Sequence, residues 1–343
     1  MNHLDRRSFL SMSALLATVP RISWGGTVDQ VAPVKLATPS RLADHRRVMR
    51  VAHLSDIHVQ PERGADAGMA MCFDRAQRLD PKPDLILTGG DGVMDVFAAN
   101  QARATELRKM FTTGLTSHCA VPVHHAIGNH DIYGWNKRES GATGQEPDWG
   151  KKYACQMYGL SNRFYSFDMN GWHFVVLDSV QPLGEGYVAY CDEEQSSWLA
   201  NDLKSRPTGS PVLVLSHVPI LSVTSLANAQ ARNINDRSKD TTISAGRMHT
   251  DGAALHRLFQ SSDVKVCLSG HMHLLDRCTT DGVTYICDGA VSGAWWKGPN
   301  HGVPEGFGVI DLFADGSFEH QYVTYGWTAR ASLGEHLSDF IGG

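Results

Sequence analysis

Val121-Pro-Val-His-His-Ala-Ile127 has the apolar, β-rich character of a strand, and it runs directly into the polar turn Gly128-Asn129-His130-Asp131. Four more polar clusters follow apolar runs in the same way, after residues 49–54, 84–88, 211–215 and 264–268: Asp56-Ile-His58, Gly90-Asp91-Gly92, Ser216-His217-Val218 and Gly270-His271-Met272-His273. In open α/β folds, residues just past the carboxyl ends of strands converge on one crevice. The five clusters therefore predict a single site.

Helical patterns alternate with these strands. Amphipathic spacing predicts helices at 68–79, 97–115, 193–205 and 251–259, and Asn170-Gly171 predicts a hairpin turn. Alternating strands and helices indicate an α/β fold with parallel pairing. We expect a linker at 27–48, one domain at 49–328 and a tail at 329–343. Two polar insertions, 132–162 and 222–250, interrupt the domain.

Composition limits the possible functions. The 343 residues carry a formal net charge of −5, which does not favour a stable nucleic-acid partner because such proteins usually carry a basic footprint. Seven cysteines, an odd number in a chain this long, do not indicate a disulfide scaffold. Cys278 and Cys287 flank the turn at Asp281-Gly282 and are the nearest pair, but their register cannot be read from the sequence.

The N-terminal segment has the features of an export signal. Arg6-Arg7-Ser8-Phe9-Leu10 precedes the mildly apolar residues 11–19, a run much shorter than the ~20 residues of a membrane-spanning helix. Residues 1–26 therefore resemble a twin-arginine signal. The interpretation predicts the twin-arginine export machinery as a partner, a periplasmic location, and membrane attachment only if the segment is not cleaved. The alternative is a disordered tail with a chance Arg-Arg pair.

The five clusters supply a donor set suited to metal ions. Imidazoles mixed with carboxylate and amide oxygens favour Mn, Fe or Zn over Ca or Mg. Any one of these side chains alone is more often structural. Together they exceed the needs of one ion and would suit two ions about 3.5–4 Å apart. The side chains are Asp56, His58, Asp91, Asn129, His130, His217, His271 and His273.

In this order, the motifs Asp-x-His, Gly-Asp, Gly-Asn-His-Asp, a lone His and Gly-His-x-His resemble those of the calcineurin-like metallophosphoesterase superfamily, over roughly residues 50–275. The resemblance implies a four-layer α/β/β/α sandwich. It also implies that His130 is the general acid, with Asp131 orienting it. The implied ligands are Asp56, His58 and His273 for one metal, Asn129, His217 and His271 for the other, and Asp91 as the bridge.

The implied activity is hydrolysis of a phosphoester by a metal-bridging hydroxide. Met94 stands where the purple acid phosphatases have a tyrosine, so we expect no purple colour. The C-terminal residues 289–310 resemble those of exported, cyclic-nucleotide-phosphodiesterase-like members, which favours a small phosphodiester as substrate. The alternatives are a phosphomonoesterase or a protein Ser/Thr phosphatase and, from another class, a non-catalytic protein that binds metal and a phosphorylated ligand.

Several other side chains have two interpretations. Trp295 and Trp296 either stack on a nucleobase or pack against the last strands, and packing is favoured. Arg138, Lys151, Lys152 and Arg163 either contact phosphate or solubilise a loop. Asp95 is expected in a turn or in support of the site. His53, His124 and His125 are expected in the core or behind the ligands.

Overall fold

Two sheets organise residues 45–232 and 242–329, the part of the chain described by a computed structural model. The strands are β1 Arg47–Leu54, β2 Leu85–Thr88, β3 Val123–His125, β4 Tyr165–Met169, β5 Trp172–Val176, β6 Val180–Leu183, β7 Gly186–Ala189, β8 Val212–Leu215, β9 Val264–Ser269, β10 Asp276–Thr280, β11 Val283–Cys287, β12 Gly306–Phe313 and β13 Phe318–Thr324. The helices are α1 Ala65–Gln77, α2 Gln101–His118, α3 Lys137–Ser140, α4 Lys151–Tyr158, α5 Glu193–Ser205, α6 Val223–Arg232 and α7 Gly252–Gln260. The predicted signal segment, most of the linker and nearly all of the tail lie outside the described residues.

The two larger sheets have parallel centres. The first has the order β13-β12-β1-β2-β3, with β1, β2 and β3 parallel to one another. The second has the order β10-β11-β9-β8-β5-β4, with β5, β8, β9 and β11 parallel. The parallel pairing predicted from the sequence is confirmed. The carboxyl ends of three strands in one sheet and of several in the other are therefore available to build one site.

Side-chain alternation explains the layers. On β2, Leu85 and Leu87 join the cluster between the sheets, whereas Ile86 joins the cluster under α1, α2 and α4. On β5, Phe174 faces the first sheet and Val175 faces α5 and α7. Strands buried on both faces appear in the sequence as continuous apolar runs, which is why these were recognisable. The predicted α/β/β/α sandwich with a β-rich C-terminal portion is confirmed.

The observed limits of α2 and β3 differ from the predicted limits because of local interactions. Helix α2 begins after Asn100, whose side chain accepts a hydrogen bond of 3.0 Å from the Arg103 N–H, and not at residue 97. Strand β3 covers only Val123–His125 of the predicted 121–127, because it lies at the sheet edge and Pro122 has no N–H to donate. The hairpin at Asn170-Gly171 forms as predicted between β4 and β5.

Both insertions contain helices, α3 and α4 in 132–162 and α6 in 222–250. Lys151 and Arg163 have structural partners, since both contact the buried Asp178 carboxylate, with Nζ–Oδ2 and Nη1–Oδ2 distances of 2.5 and 2.8 Å. Phosphate binding by these two residues is therefore not supported. Of the helices in the described ranges, none is long and apolar enough to cross a membrane.

The seven cysteines form no disulfide in the described residues, and three of the histidines make structural contacts. All seven cysteines lie in described segments and are free thiols there; Cys278 pairs with Tyr285 across β10 and β11, not with Cys287. The expected structural roles of His53, His124 and His125 are confirmed by contacts with Asp288, Phe167 and Thr88 respectively.

Candidate metal centre

The five predicted clusters meet at one edge of the sandwich. Asp56 and His58 follow β1, Asp91 follows β2 and Asn129 follows β3, all from the first sheet. His217 follows β8, and the His271–His273 pair follows β9, from the second sheet. All except the half-buried His271 are buried. The structure therefore brings together every side chain that the sequence assigned to a metal.

Asp56, His58 and His273 form the first group, with one donor atom from each within 4.8 Å of the others. His58 Nε2 lies 3.1 Å from His273 Nε2, and His273 Nε2 lies 3.3 Å from Asp56 Oδ1. Two imidazole nitrogens this close repel one another unless a proton or a cation lies between them. The group is the same trio that the family resemblance assigned to one metal.

Asp91, His217 and His271 form the second group, again with donor atoms within 4.8 Å of one another. His217 Nε2 lies 3.3 Å from Asp91 Oδ2 and 3.1 Å from Asn129 Oδ1. Asp91 Oδ2 is also 3.7 Å from His58 Nε2 in the first group. Asp91 therefore lies between the two groups, as a bridging ligand must.

Hydrogen bonds on the far side of the rings orient two of the imidazoles. His273 Nδ1 lies 2.6 Å from the Gly293 carbonyl oxygen and His217 Nδ1 lies 2.8 Å from that of Gly89. Donation from Nδ1 leaves the Nε2 lone pair of each ring directed into the site, which is the usual arrangement of metal-ligating histidine. The donor set fits two divalent ions of the Mn, Fe or Zn type. Individual ligand roles stay predictions.

The backbone at these positions is unusual. Asp56, His58, Asp91, His271 and His273 all have left-handed φ values, between 47° and 68°. Each non-glycine residue held there costs about 1–3 kcal/mol, and such residues cluster at functional sites. At Gly128 a Cβ would lie 2.1 Å from Asp91 Oδ1, so the turn after β3 can approach Asp91 only as glycine. Close approach of two loops thus explains the glycine in Gly-Asn-His-Asp.

The surroundings shift the pKa values of His217 and His271 in opposite directions. Burial lowers the pKa of His217, but the Asp91 carboxylate outweighs it and raises the pKa to about 9 in the metal-free protein. Burial and the charge of His217 lower the pKa of His271 to about 3. Burial alone would raise the pKa of Asp91, but His217 and His130 hold it well below its usual range. The metal-free site is therefore an ionised carboxylate with a protonated imidazole beside it.

Metal uptake is expected to release protons below about pH 9, since a metal ligand must be neutral imidazole and His217 is protonated there. Apparent affinity should rise as pH increases toward about 9 and level off above it. Calorimetric titration of Mn²⁺ in two buffers of different protonation enthalpy, near pH 7 and above pH 9, measures the protons released. Equal release at both pH values would contradict this expectation.

The predicted role of Asp131 is wrong. Its carboxylate accepts hydrogen bonds of 2.8, 2.9 and 2.9 Å from the N–H groups of Asp91, Gly92 and Gly128, and one of 2.9 Å from the Tyr158 hydroxyl. Asp131 therefore ties the β2 and β3 loops together and does not contact the His130 ring. The backbone N–H groups of the two loops and the Tyr158 hydroxyl occupy the carboxylate that was expected to orient His130.

His130 stands beside the centre and faces Asp95. Its Nε2 lies 4.0 Å from Asp91 Oδ2, and its Nδ1 lies 3.7 Å from Asp95 Oδ1. Asp95 also accepts a 3.0 Å hydrogen bond from the Phe97 N–H, which confirms its expected place in a turn. The side chain of His130 is 22% exposed, so the ring is accessible from the open side of the centre.

A cleft of about 740 Å³ opens over the two groups. Its walls include side chains that no sequence motif singled out, because they come from the β6–β7 hairpin, the second insertion and the 293–301 loop: Tyr187, Asn228, Arg247, Lys297, Asn300 and His301. The packing predicted for Trp296 is confirmed, since it is 1% exposed. The same prediction is wrong for Trp295, which is 37% exposed and lines the cleft.

A double-sheet sandwich with two adjacent acid–histidine groups at the strand ends is the fold of a dimetal phosphoesterase. Residues 49–275, more than half of the chain, match the family model for calcineurin-like phosphoesterases, and the chain belongs to that family. The family depends on dinuclear metal centres and acts on phosphoester bonds.

Individual relatives are distant. Purple acid phosphatase 22 of Arabidopsis thaliana is 27% identical over 124 residues, which span 36% of this chain and 23% of that protein. A dimetal phosphatase from Danio rerio superposes with a TM-score of 0.54 at 17% identity, over 78% of this chain and 94% of that one. GAP50, the anchor in the inner membrane complex of Plasmodium, superposes with a TM-score of 0.51 at 16% identity, over 82% and 86%. At these identities the structural matches show the fold alone.

Proposed function

We propose that the protein is a dinuclear-metal hydrolase of a small phosphodiester, with His130 as the general acid. One observation carries the proposal: Asp91 lies between two donor groups, and the partly exposed His130 ring stands at the edge of the same centre. The His130 ring also comes close to His58 and Asp91, but the two donor groups are complete without it, which leaves it available as a proton donor. Mn, Fe and Zn are the proposed metals.

Different residues of the chain would carry out different parts of the proposed reaction. When bound, the two cations would lower the pKa of water toward neutrality and offset charge on the phosphoryl oxygens. Asp91 would hold them adjacent, and Asn129 and the histidines would complete their ligands. His130 would donate a proton from Nε2 to the departing ester oxygen, a contribution of roughly 10²–10⁴ in rate. The loop ties made by Asp131 would keep Asp91 and His130 in register.

Replacing Asp95 with asparagine is expected to lower kcat by about tenfold without loss of metal, because Asp95 is the carboxylate that faces His130 Nδ1. The loss should be much smaller than that caused by removing His130 itself. Steady-state kinetics and elemental analysis of the same preparations measure both effects. A kcat equal to that of wild type would show that Asp95 serves only the turn to Phe97.

The cleft supports the preference for a diester. A volume of about 740 Å³ leaves room for substituents on both sides of the phosphorus, whereas a monoester presents only one. Side chains from the hairpin, the second insertion and the 293–301 loop surround this space. A protein Ser/Thr phosphatase would require an open groove instead. The walled cleft favours a small substrate.

The decisive experiment combines metal analysis with two substrates. Protein purified without chelator is analysed for metal per chain, then assayed with bis-p-nitrophenyl phosphate and p-nitrophenyl phosphate. About two metals per chain with diester turnover is the expected result. Turnover of the monoester alone would retain the dinuclear mechanism and overturn the diester preference. Absence of metal after reloading would overturn the proposal.

A non-catalytic protein that binds a phosphorylated ligand is the second candidate. The fold is shared with GAP50, described as an anchor, so the sandwich by itself does not establish hydrolysis. Metal-dependent binding of inorganic phosphate, with no turnover of either nitrophenyl ester, would favour this candidate. The accessible His130 beside Asp91 argues for the enzyme.

We also propose export through the twin-arginine machinery and a periplasmic setting, based on Arg6-Arg7-Ser8-Phe9-Leu10. Joint substitution Arg6→Lys and Arg7→Lys is expected to retain the protein in the cytoplasm, since that machinery recognises the arginine pair. Fractionation of cells expressing both forms measures the distribution, with Arg21→Lys as the control. Equal periplasmic yield from both forms would contradict the proposal.

A further inference from the structure

A tight loop, 293–298, holds two adjacent tryptophans in strained conformations. Trp295 and Trp296 have φ values of 52° and 67°, both left-handed, where bulky side chains are rarely found. Gly293 and Gly298, at the two ends, also have positive φ values, of 55° and 118°. Strain of this kind persists only where the surroundings impose it. The loop thus requires an account beyond packing.

Trp296 anchors this loop beneath the metal centre. Its indole N–H donates a 3.0 Å hydrogen bond to the carbonyl oxygen of His58, and its ring covers Gly68 of α1, where a Cβ would lie 2.0 Å away. The Gly293 carbonyl accepts from His273, and the Ser292 hydroxyl donates to the carbonyl oxygen of Asp56 over 2.8 Å. The loop is therefore attached to three candidate ligands.

Trp295 is directed the opposite way. Trp296 is buried against α1, whereas Trp295 is 37% exposed and lines the cleft. Its centroid lies 4.7 Å from that of His273 and 6.2 Å from that of His58. A large aromatic surface left open in a cleft, held there by a strained and anchored loop, is a contact surface for a ligand.

Trp295 lies next to the centre at which the phosphoester would bind. The His130 ring packs edge-on against His58 with centroids 4.7 Å apart, and Trp295 lies on this same histidine. A phosphoester bound at this centre would therefore have one of its substituents within reach of the Trp295 ring.

We propose that Trp295 is a stacking platform for a planar, aromatic substituent of the phosphoester substrate. This inference rests on the proposed hydrolysis and specifies its substrate class: phosphoesters that carry a flat ring on one of their substituents. An aromatic face accepts any such ring without reading its hydrogen-bonding pattern. The cationic side chains of Arg247 and Lys297 line the same cleft and suit an anionic ester.

The test separates stacking from mere apolar contact. Metal-loaded, full-length protein is titrated calorimetrically with benzylphosphonate and cyclohexylmethylphosphonate, which carry the same anion and rings of similar size, one flat and one puckered. The variants Trp295→Phe and Trp295→Leu keep an apolar side chain over His273, but only the first keeps a flat one. Metal content is measured for each, and kcat/KM is compared for benzyl ethyl and cyclohexylmethyl ethyl phosphate.

We expect the wild-type protein to bind benzylphosphonate about tenfold more tightly than its puckered counterpart. Trp295→Phe should keep most of this preference, and Trp295→Leu should lose it without losing metal. The same preference should appear in kcat/KM. Preference retained by Trp295→Leu would overturn the proposal, as would equal weakening of both phosphonates with loss of metal, which would make Trp295 a support for His273.

The failure of hydrolysis would be distinguishable from the failure of stacking. Suppose that the wild type binds benzylphosphonate preferentially, that Trp295→Leu lacks this preference, and that the wild type hydrolyses neither diester. The stacking role of Trp295 would then be supported and the proposed hydrolysis would be contradicted. If both diesters are hydrolysed at rates that the Trp295 variants change equally, the activity stands and the platform falls.

Discussion

Replacing Asp91 with alanine is expected to remove both bound metal and hydrolysis, with a fall in kcat/KM of at least about 10³-fold. Asp91 is the side chain that approaches both donor groups, lying 3.3 Å from His217 and 3.7 Å from His58. Its loss leaves each group without the carboxylate that offsets the charge of two adjacent cations. Elemental analysis and diester kinetics on the same preparation measure the two losses together.

The matched control is Asp66→Ala, which removes an exposed carboxylate from the first turn of α1. It should keep metal content and activity close to wild type, since exposed positions away from special features change little. Circular dichroism of both variants checks that the sandwich is intact. Normal metal content and activity in Asp91→Ala would show that the two groups do not share a bridge and would overturn the assignment.

Replacing His130 with glutamine is expected to leave metal content unchanged and to lower kcat by roughly 10²–10⁴-fold for substrates with poor leaving groups. The ring stands 4.0 Å from Asp91 on the accessible side of the centre, so it can reach a substrate oxygen that the buried histidines cannot. The loss should be smaller for p-nitrophenyl esters, because their leaving group departs without a proton. A series of aryl and alkyl diesters measures this dependence.

His118→Gln at the end of α2 is a suitable control, since that histidine lies on a distant helix and pairs with Asp74. It should behave as wild type across the substrate series. If His130→Gln instead lost metal, His130 would be a ligand and not an acid. If it lost the same factor with every leaving group, its contribution would be to binding and not to proton donation.

Much of the fold could be predicted because strands buried on both faces leave continuous apolar runs. Residues 84–88 and 211–215 are such runs, and the polar residues that end them lie at a shared sheet edge. Side chains at distant positions, such as Asp91 and His271, could therefore be assigned to one centre without coordinates. The limits of β3 and α2 could not, because a sheet edge and the Asn100 cap decided them.

The contacts made by the residues around the centre could not be predicted from the sequence. Asp131 is the next residue after His130 but binds backbone N–H groups, whereas Asp95, 35 positions earlier in numbering, faces the ring. Trp295 and Trp296 are adjacent, but Trp295 lines the cleft, whereas the Trp296 indole donates to the His58 carbonyl oxygen. Adjacency in sequence does not determine the direction of a side chain, because Asp131 faces N–H groups of two loops and both tryptophans lie in a left-handed backbone.

The sequence by itself determined the α/β class and the set of side chains that meet at the centre, because strand periodicity and the position of polar residues at strand ends are local properties. The order of its motifs carried the family resemblance, and that resemblance implied the four-layer architecture. Only the tertiary structure decided that Asp131 supports loops, that Asp95 faces His130 and that Trp295 opens into the cleft. The first depends on the backbone N–H groups that surround Asp131, and the other two depend on positive φ at Asp95 and Trp295. All of these arise from packing across the whole domain.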